Sequence, residues 1–222
     1  MEKLLAPPRA TFVNLPQERQ AAILRAAVSE FAEQGYQRAS VNNIVRTLAI
    51  AKGSLYQYFD NKEALFLHVF DHFRDTVKQH VRQAVSAATT DLFQAARAVL
   101  LAGIDFIDRH PEYFRLYLRV LSEQGTPRRE ELLAKVRLFS LEYFGPLCEA
   151  ARATGLLCPQ VSTPTAVFII DATMDRFLQG YAQPMLDSGI GLATMARTRL
   201  ETEIDIIIGV LRDGLCPRPQ GE

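Results

Sequence analysis

The sequence predicts an all-α protein, and three observations lead to that prediction. Apolar residues recur with a helical period along most of the chain. Glycine, proline, serine and threonine interrupt these patterns at the places where helices are expected to begin or end. Strand patterns are nearly absent, because the one β-branched run, VFII at 167–170, lies inside a longer segment with helical period.

The first two predicted helices follow an N-terminal segment that has no clear pattern. Residues 1–14 are expected to form a loose arm. The first helix begins at Pro16, which suits a first helical turn, and ends at Gly35. Ser40 is the expected N-cap of a second, short helix, because its side chain can accept a hydrogen bond from an amide of the first turn.

A tight connection and a very short helix come next. Residues 49–51, with the sequence Ala-Ile-Ala, form the connection, and residues 52–59 form the expected helix. Asp60 or Asn61 then caps a long helix over residues 62–84. Two short helices joined by a turn of three or four residues have the geometry of a helix-turn-helix.

The rest of the chain continues with helices that are separated by proline, glycine and polar residues. A Gly-Pro pair at 145–146 is expected to bend one of these helices. The predicted helices cover about residues 91–109, 112–124, 128–154, 164–182 and 192–213, and a tail rich in proline and glycine follows.

Basic residues are concentrated near the N-terminus, although the 222-residue chain has no net charge. Residues 1–62 contain eight Lys or Arg and five acidic residues, whereas the remaining residues contain 17 basic and 20 acidic residues. Within residues 36–62, four basic residues accompany a single acid, Asp60. The sign of this asymmetry suits a polyanionic partner.

The composition also argues against several classes of protein. Cys148, Cys158 and Cys216 have no C-x-x-C spacing, which argues against a disulfide framework and a zinc site. No apolar run reaches the ~18 residues of a membrane span, and the N-terminus lacks the apolar core of a signal peptide. We therefore expect a cytoplasmic protein with no membrane contact and no cofactor.

The outward face of residues 52–59 has a composition that suits DNA binding. On a helical wheel, Leu55 and Phe59 define the buried side, and Gly53 and Gln57 point away from it. Glycine lets the backbone approach a groove, glutamine pairs with an adenine edge, and serine and tyrosine hydroxyls donate to phosphate oxygens. An ordinary helix hairpin with a solvated polar face is the alternative.

Two groups at neighbouring helix N-termini extend this face. Lys62 lies in the first turn of the long helix, and Ser40 begins the helix before the turn; both are positions that favour an anion. The predicted DNA-binding residues are Ser40, Lys52, Gly53, Ser54, Tyr56, Gln57, Tyr58 and Lys62.

Three stretches of the sequence resemble the TetR family of bacterial transcriptional regulators: ILRAAVSEFAEQGY, ASVNNIV and KGSLYQYFDNKEALF. The agreement covers about residues 17–70. The resemblance implies about nine helices, of which three form a DNA-binding domain and the others bind a ligand and form a dimer. Residues 1–61 would then contain the arm and the helix-turn-helix domain, and residues 62–222 the ligand-binding and dimerisation domain.

The resemblance also implies roles for single residues, with residues 52–59 as the recognition helix. The positions that often touch phosphates are Ser40, Tyr56 and Lys62. The positions that face bases are Gly53, Ser54 and Gln57. The turn departs from the usual Gly-Val-Ser of the family, because Ala49 lacks the freedom of glycine at positive φ and Ala51 cannot cap the next helix, at a cost of typically ~1 kcal/mol.

The last two predicted helices carry broad apolar stripes, and regulators of this kind usually dimerise through their last two helices. Each stripe can bury one side in its own domain and the other side against a partner. The alternative is that both are core helices of a monomer. The predicted interface residues are Ile170, Met174, Phe177, Leu178, Tyr181, Leu200, Ile204, Ile207, Ile208 and Leu211.

The middle helices are rich in large aromatic residues, which can line a cavity for an apolar or aromatic small molecule. Polar residues could orient such a ligand or could form surface pairs, namely Arg115, Arg119, Asp171, Asp175 and Arg176. Plain core packing is the alternative for every aromatic residue. The predicted ligand-binding residues are Phe106, Phe114, Tyr117, Phe139, Tyr143, Asp171 and Asp175.

Together these patterns predict a dimeric, ligand-responsive transcriptional regulator. We expect a repressor that binds a palindromic DNA operator through residues 52–59 and leaves it when the effector binds. A helical metal-binding enzyme is one alternative, because His68 and His72 share a helix face, yet the HExxH pattern and a third ligand are missing. A ligand-binding protein without a DNA role is another. No catalytic fingerprint is present, so we expect no enzymatic activity.

Overall fold

The computed structural model describes residues 5–85 and 91–215, and every regular element among them is helical. Single 3-10 turns at Pro184–Leu186 and Leu192–Thr194 separate the last two helices. The all-α prediction is confirmed. The α-helices, in chain order, are α1 (Ala10–Val13), α2 (Gln17–Arg38), α3 (Val41–Thr47), α4 (Lys52–Tyr56), α5 (Lys62–Ala84), α6 (Leu92–Arg109), α7 (Pro111–Ser122), α8 (Arg129–Ala153), α9 (Thr163–Ala182) and α10 (Arg197–Leu215).

The described chain forms two compact units. The first unit contains the residues up to 77 together with residues 110–134, and the second contains residues 78–109 and those from 135 onward. Helices α5 and α8 therefore contribute residues to both units. The division of roles between residues 1–61 and 62–222 stays a prediction.

Most helix bounds agree with the sequence patterns, and the differences have local causes. Helix α5 has the predicted bounds. Helix α4 ends at Tyr56, and α10 begins at Arg197 because residues 192–194 form a 3-10 turn. Proline lies inside α8 at Pro146, as the sequence predicts.

The N-terminal segment is not a loose arm, and that prediction is wrong for residues 5–14. Leu5 and Phe12 are buried, and residues 10–13 form α1. The amide of Leu5 donates to Asp71 Oδ2 at 2.6 Å. A segment this short carries too little periodicity to predict its docking, and its partners lie far along the sequence.

Helices α2 and α7 pack together in the first unit, and a glycine near the end of α2 lies beside the Glu123 side chain. Gly35 has a φ of +69°, and a Cβ at this position would lie 2.2 Å from Glu123 Oε1. The backbone conformation therefore favours glycine here, and a Cβ would also displace the Glu123 carboxylate. The helical path is interrupted at this residue, where the sequence predicts the end of the helix.

Most residues predicted to form a dimer interface are buried inside the single chain, and the interface itself stays a prediction. Helices α9 and α10 both pack against α6, so their broad apolar stripes face their own unit. Leu178, Tyr181 and Ile207 are half-buried, and the Tyr181 hydroxyl donates to Asp108 Oδ1 at 2.7 Å. The buried residues are Ile170, Met174, Phe177, Leu200, Ile204, Ile208 and Leu211.

Two further expectations concern cysteine and the membrane. Cys148 and Cys158 are free thiols, and Cys216 lies outside the described residues. A bilayer-crossing helix would need a longer apolar stretch than any helix within residues 5–85 or 91–215 provides.

Candidate nucleic-acid interface

Helices α3 and α4 form a helix-turn-helix whose turn contains an unusual alanine. Ala49 has a φ of +51°, in the left-handed region that favours glycine. The turn closes by a hydrogen bond of 3.1 Å from the Ile50 amide to the Val45 carbonyl. Ala51 occupies the N-cap position of α4 in an extended conformation, without a side-chain cap. The turn predicted from the sequence forms, although two of its residues are unfavourable.

The exposed face of α4 is the one that the helical wheel predicts. Leu55 and Phe59 are buried, whereas Lys52, Gly53, Tyr56 and Gln57 are exposed. Nothing lies within 4 Å of the place where a Cβ on Gly53 would be, so a large partner can approach the backbone there. Ser54 is half-buried at the edge of this face.

Tyr58 lies at the other edge and is half-buried. Its ring contacts Phe12 edge-on, with centroids 6.2 Å apart, and its carbonyl accepts from the Arg9 amide at 3.0 Å. The phenol therefore has one packed side and one side available to a partner.

Ser40 takes the N-cap position of α3 but does not cap it through its side chain, so that part of the prediction is wrong. Its amide instead donates to Glu30 Oε1 at 2.7 Å, and Asn43 Nδ2 donates to the same oxygen at 3.1 Å. Glu30 thus joins α2 to the first turn of α3. Sequence reasoning did not identify Glu30, because a carboxylate ten residues before a cap matches no local capping pattern.

Lys62 has a structural partner that the sequence did not reveal. Its ammonium donates to the carbonyls of Tyr36, Gln37 and Ala39 at 2.8, 3.2 and 3.2 Å. It also lies 4.5 Å from the centroid of the Tyr36 ring. All three ammonium protons are thereby engaged. This geometry favours a role in closing the end of α2 over the predicted phosphate contact.

A second cation, Arg119 of α7, acts on the same helix end. Its guanidinium donates to the carbonyls of Ala32 and Glu33 at 3.3 and 2.8 Å and pairs with Glu123 at 3.2 Å. Carbonyls at a helix C-terminus lack partners within the helix, and cations there are favourable. Arg119 follows Glu33 by 86 residues, so no local pattern predicts the contact.

The start of α5 confirms one of two predicted caps. The side chain of Asn61 accepts from the Ala64 amide at 2.8 Å. Asp60 instead pairs with Arg9, whose Nη2 lies 2.7 Å from Asp60 Oδ1. The single acid within residues 36–62 is therefore neutralised by a residue of the N-terminal segment.

The predicted ligand-binding residues are divided between the two units. Phe114 and Tyr117 belong to the first unit, where Tyr117 stacks on Phe73 at 6.1 Å. The other five belong to the second unit, and there Phe106 is buried against His80 while Phe139 stacks on Tyr143. Phe106, Phe114 and Tyr117 are buried, which fits the alternative of core packing, whereas Phe139 and Tyr143 are half-buried. The ligand cavity predicted from these seven residues stays a prediction.

Asp171 and Asp175 do share a groove, which lies in the second unit and has a volume of about 640 Å³. Asp171 is held by Arg137 and by Ser140 Oγ, the latter at 2.5 Å, and Asp175 accepts from Gln179 Nε2 at 2.9 Å. The apolar part of the lining consists of Leu141, Pro164, Val167, Phe168 and Ala172.

The histidines of α5 do not form a metal site. Within residues 5–85 and 91–215, no group of three or more His, Cys, Asp or Glu side chains is arranged to hold a metal ion. His72 Nδ1 lies 2.8 Å from the Tyr113 hydroxyl, and burial lowers the pKa of His72. His68 packs between Phe12 and Phe59, and burial lowers its pKa to about 4.

Comparison with known proteins agrees with this helix-turn-helix. The family model for "Bacterial regulatory proteins, tetR family" matches residues 23–69. The HTH-type transcriptional activator FasR of Mycolicibacterium smegmatis is 36% identical over 99 residues, which make up 45% of this chain and 45% of FasR. The HTH-type transcriptional repressor NicS of Pseudomonas putida is 28% identical over 151 residues, covering 67% of this chain and 70% of NicS.

Similarity to a solved structure extends over nearly the whole chain. A TetR family transcriptional regulator from Chloroflexus aurantiacus superposes with a TM-score of 0.75 and 28% identity, covering 96% of this chain and 100% of that protein. These similar proteins are transcriptional regulators and not enzymes. The chain is thus a DNA-binding regulator of the helix-turn-helix class, and its residues 23–69 match the TetR family.

Proposed function

We propose that this protein is a dimeric repressor that binds a palindromic operator through α4 and is released by a small apolar or aromatic effector. The observation that carries the proposal is the exposed face of α4. It presents Lys52, Gly53, Tyr56 and Gln57 to solvent and contains no carboxylate. A polyanion with base edges in a groove is the partner that such a face fits.

The residues of α4 divide into two kinds of DNA contact. Gln57 follows the last turn of α4 and is proposed to pair with an adenine in the major groove. Ser54 is proposed to face a base, and Lys52, Tyr56 and Tyr58 are proposed to contact phosphates, which fix the register of the helix on the duplex. Gly53 allows the helix backbone to come close to the groove.

A selection of DNA fragments bound by the purified protein tests this proposal. We expect a palindrome, because a two-fold dimer presents two copies of α4 to successive major grooves. Binding of the palindrome should weaken steeply with salt. Lys52→Ala should reduce the salt slope by about one, whereas Gln57→Ala should relax the preference at one base pair in each half-site. Fragments without a shared sequence would contradict the proposal.

The dimer is proposed to form through a face of α9 and α10 other than the predicted one. Phe168, Ile206 and Val210 are 69%, 54% and 68% exposed in the single chain. We call these three residues the apolar face. Large apolar side chains with this exposure on the last two helices are suited to burial against a second copy.

Val210→Glu tests the dimer. A charge in the centre of a buried interface should shift the mass in solution from dimer to monomer and weaken operator binding. Leu156→Glu is the matched control, because Leu156 is also exposed, at 51%, but follows α8 in a loop. A wild-type chain that is monomeric at micromolar concentration would contradict the dimer.

The effector is proposed to bind in the groove lined by Leu141, Phe168 and Asp171. Its apolar lining suits an apolar or aromatic compound, and its carboxylates can orient a polar group. Only a ligand that prefers the DNA-free state can release the operator. Helix α5 contributes residues to both units and is the proposed lever between effector and DNA.

A screen of apolar and aromatic compounds for release of the bound palindrome tests the effector site. Leu141→Trp should narrow the groove and reduce the response to an active compound. Leu138→Trp is the control, since Leu138 is similarly exposed on α8 but does not line the groove. Equal responses of the two variants would place the effector elsewhere. Expression from the palindrome should rise when the gene is deleted; a fall would identify an activator.

A further inference from the structure

Residues 5–13 form a segment that we call the N-terminal strap, and it contacts the end of the recognition helix α4. The Thr11 hydroxyl donates to the Gln57 carbonyl, and the Arg9 amide donates to the Tyr58 carbonyl at 3.0 Å. These two carbonyls directly follow α4, at the end where a helix leaves its carbonyls without partners. The amides of Gln57, Tyr58 and Phe59 close the last turn of α4 itself, and the strap satisfies the two carbonyls that come next.

An aromatic contact reinforces these hydrogen bonds. Phe12 is only 2% exposed, and its ring lies 4.9 Å from Phe59 and 5.3 Å from His68, centroid to centroid. Phe59 belongs to the buried side of the recognition segment. A fully buried phenylalanine is a strong anchor, so the strap is fixed to the segment that carries Gln57.

The other end of the strap is anchored as well. The Leu5 amide donates to Asp71 Oδ2 at 2.6 Å, and the Leu5 carbonyl accepts from Arg128 Nη1 at 2.8 Å. Asp71 is buried, and Arg128 is held in turn by Glu131 at 2.6 Å. The strap is therefore attached at both ends within the first unit.

Helix α4 needs such support, because it is short and weakly held at its start. It has five residues, and Ala51 gives it no side-chain cap. An isolated helix of this length is not stable in water. The orientation of Gln57 therefore depends on contacts made after α4, and the strap provides two of them at Gln57 and Tyr58.

We infer that the N-terminal strap is a positioning element for DNA recognition and that Thr11 is its central positioning residue. The strap holds the Gln57 backbone so that the side chain reaches its base. This inference rests on the proposed role of Gln57 in reading DNA. Thr11 itself needs no contact with DNA, so its loss should change affinity and base preference without changing the number of phosphate contacts.

Thr11→Val tests the inference, because it removes the hydroxyl and keeps the shape. Val13→Thr is the matched control, since Val13 is exposed at the end of the same short helix. For each variant, DNA affinity is measured with the selected palindrome and with a palindrome in which the Gln57-dependent base pair is changed. The salt dependence of the affinity and the midpoint of thermal unfolding are measured as well. Thr11→Ser keeps the hydroxyl and serves as the conservative variant.

We expect Thr11→Val to bind the palindrome roughly fivefold to tenfold more weakly, as the loss of one hydrogen bond implies. It should also discriminate less against the changed base pair, while its salt slope stays that of the wild type. Thr11→Ser should bind like the wild type. If Thr11→Val strongly lowers the thermal midpoint, DNA binding is compared at a temperature well below that midpoint. Restored discrimination between the two base pairs in Thr11→Ser then supports the inference.

Two results would overturn it, and they differ from a failure of the proposed function. Equal affinity and discrimination in Thr11→Val and Val13→Thr would show that the strap does not position α4. A salt slope reduced by about one in Thr11→Val would indicate a direct phosphate contact instead. If the wild-type protein selects no DNA sequence at all, that result contradicts the proposed function itself and not only the role of the strap.

Discussion

The two ends of the recognition helix α4 are held in opposite ways. At its start, Ala49 adopts a φ of +51° and Ala51 offers no side-chain cap. At its end, Arg9 and Thr11 satisfy two carbonyls and Phe12 packs below. The first end relies on residues next to it in the sequence, and the second relies on residues more than 40 positions away. Helix α4 is therefore stabilised from its C-terminal side.

Residues that are distant in the sequence also support the C-terminal end of α2. Lys62 donates to three carbonyls and Arg119 to two, and all five belong to the last turns of α2 or to the residue that follows it. In both helices the groups that close the C-terminus come from other elements of the first unit. The difference between local and distant support can be tested by removing each kind of contact separately.

Removal of the aromatic anchor should produce the largest effect. Phe12→Ala leaves a cavity beside Phe59 and His68, and we expect a loss of about 3–5 kcal/mol in the free energy of unfolding. Urea unfolding of the wild type and the variant measures this difference. Val13→Ala is the control and should change stability by less than about 0.5 kcal/mol, because Val13 is exposed. Equal effects would mean that the strap adds no stability.

Acid should weaken the same end of α4 through His68. Burial lowers the pKa of His68 to about 4, and Nδ1 has no hydrogen-bond partner among the described residues. His72 lowers the pKa further, whereas Asp75 raises it. In the unfolded chain His68 is protonated below about pH 6.5, whereas in the folded chain it stays neutral down to about pH 4. The free energy of unfolding should therefore fall as pH drops from about 6.5 to about 4, by up to about 3 kcal/mol.

The pH dependence has a direct control. His68→Phe fits the aromatic surroundings of Phe12 and Phe59 and cannot be protonated. Unfolding measured between pH 4 and pH 7 should therefore show a smaller acid loss in this variant than in the wild type. Identical pH profiles would assign the acid sensitivity to other groups.

Sequence patterns predicted α3, the turn and the exposed face of α4 because these features depend on neighbouring residues. The cap at Asn61 followed from the same local rule. The strap could not be predicted, because the partners of Arg9 and Thr11 lie 51 and 46 residues away. Apolar periodicity shows which helix face is buried but not what covers it, so it does not decide whether Ile170 and Ile204 face their own unit or a partner chain.

Lys62 separates a structural role from a DNA contact. Lys62→Met removes the ammonium from the carbonyls of Tyr36, Gln37 and Ala39, and we expect a loss of about 2 kcal/mol in stability. The salt slope of operator binding should stay unchanged. Lys52→Met is the comparison, because Lys52 is exposed and should lower the slope by about one at little cost in stability. A reduced slope in Lys62→Met would restore the predicted phosphate contact.

A side-chain cap at the N-terminal end of α4 should stabilise the helix there. Ala51→Ser provides an oxygen for an amide of the first turn, and we expect a gain of about 1 kcal/mol in the free energy of unfolding. The control is Ala134→Ser on the exposed side of α8, where serine should be neutral or slightly destabilising. A loss of stability in Ala51→Ser would mean that the extended backbone at this position cannot orient the hydroxyl.

The smallest expected effect concerns the turn itself. Ala49→Gly relieves the cost of a left-handed alanine, about 1–2 kcal/mol, but increases the freedom of the unfolded chain by about 0.5–1 kcal/mol. The net gain in stability should therefore be about 0.5 kcal/mol, measured by urea unfolding against Ala134→Gly, which should lose about 1 kcal/mol. Because α4 is held mainly at its other end, neither change at the start of α4 should alter the base preference of Gln57. A changed preference in Ala49→Gly would show that the turn, and not the strap, orients the recognition helix.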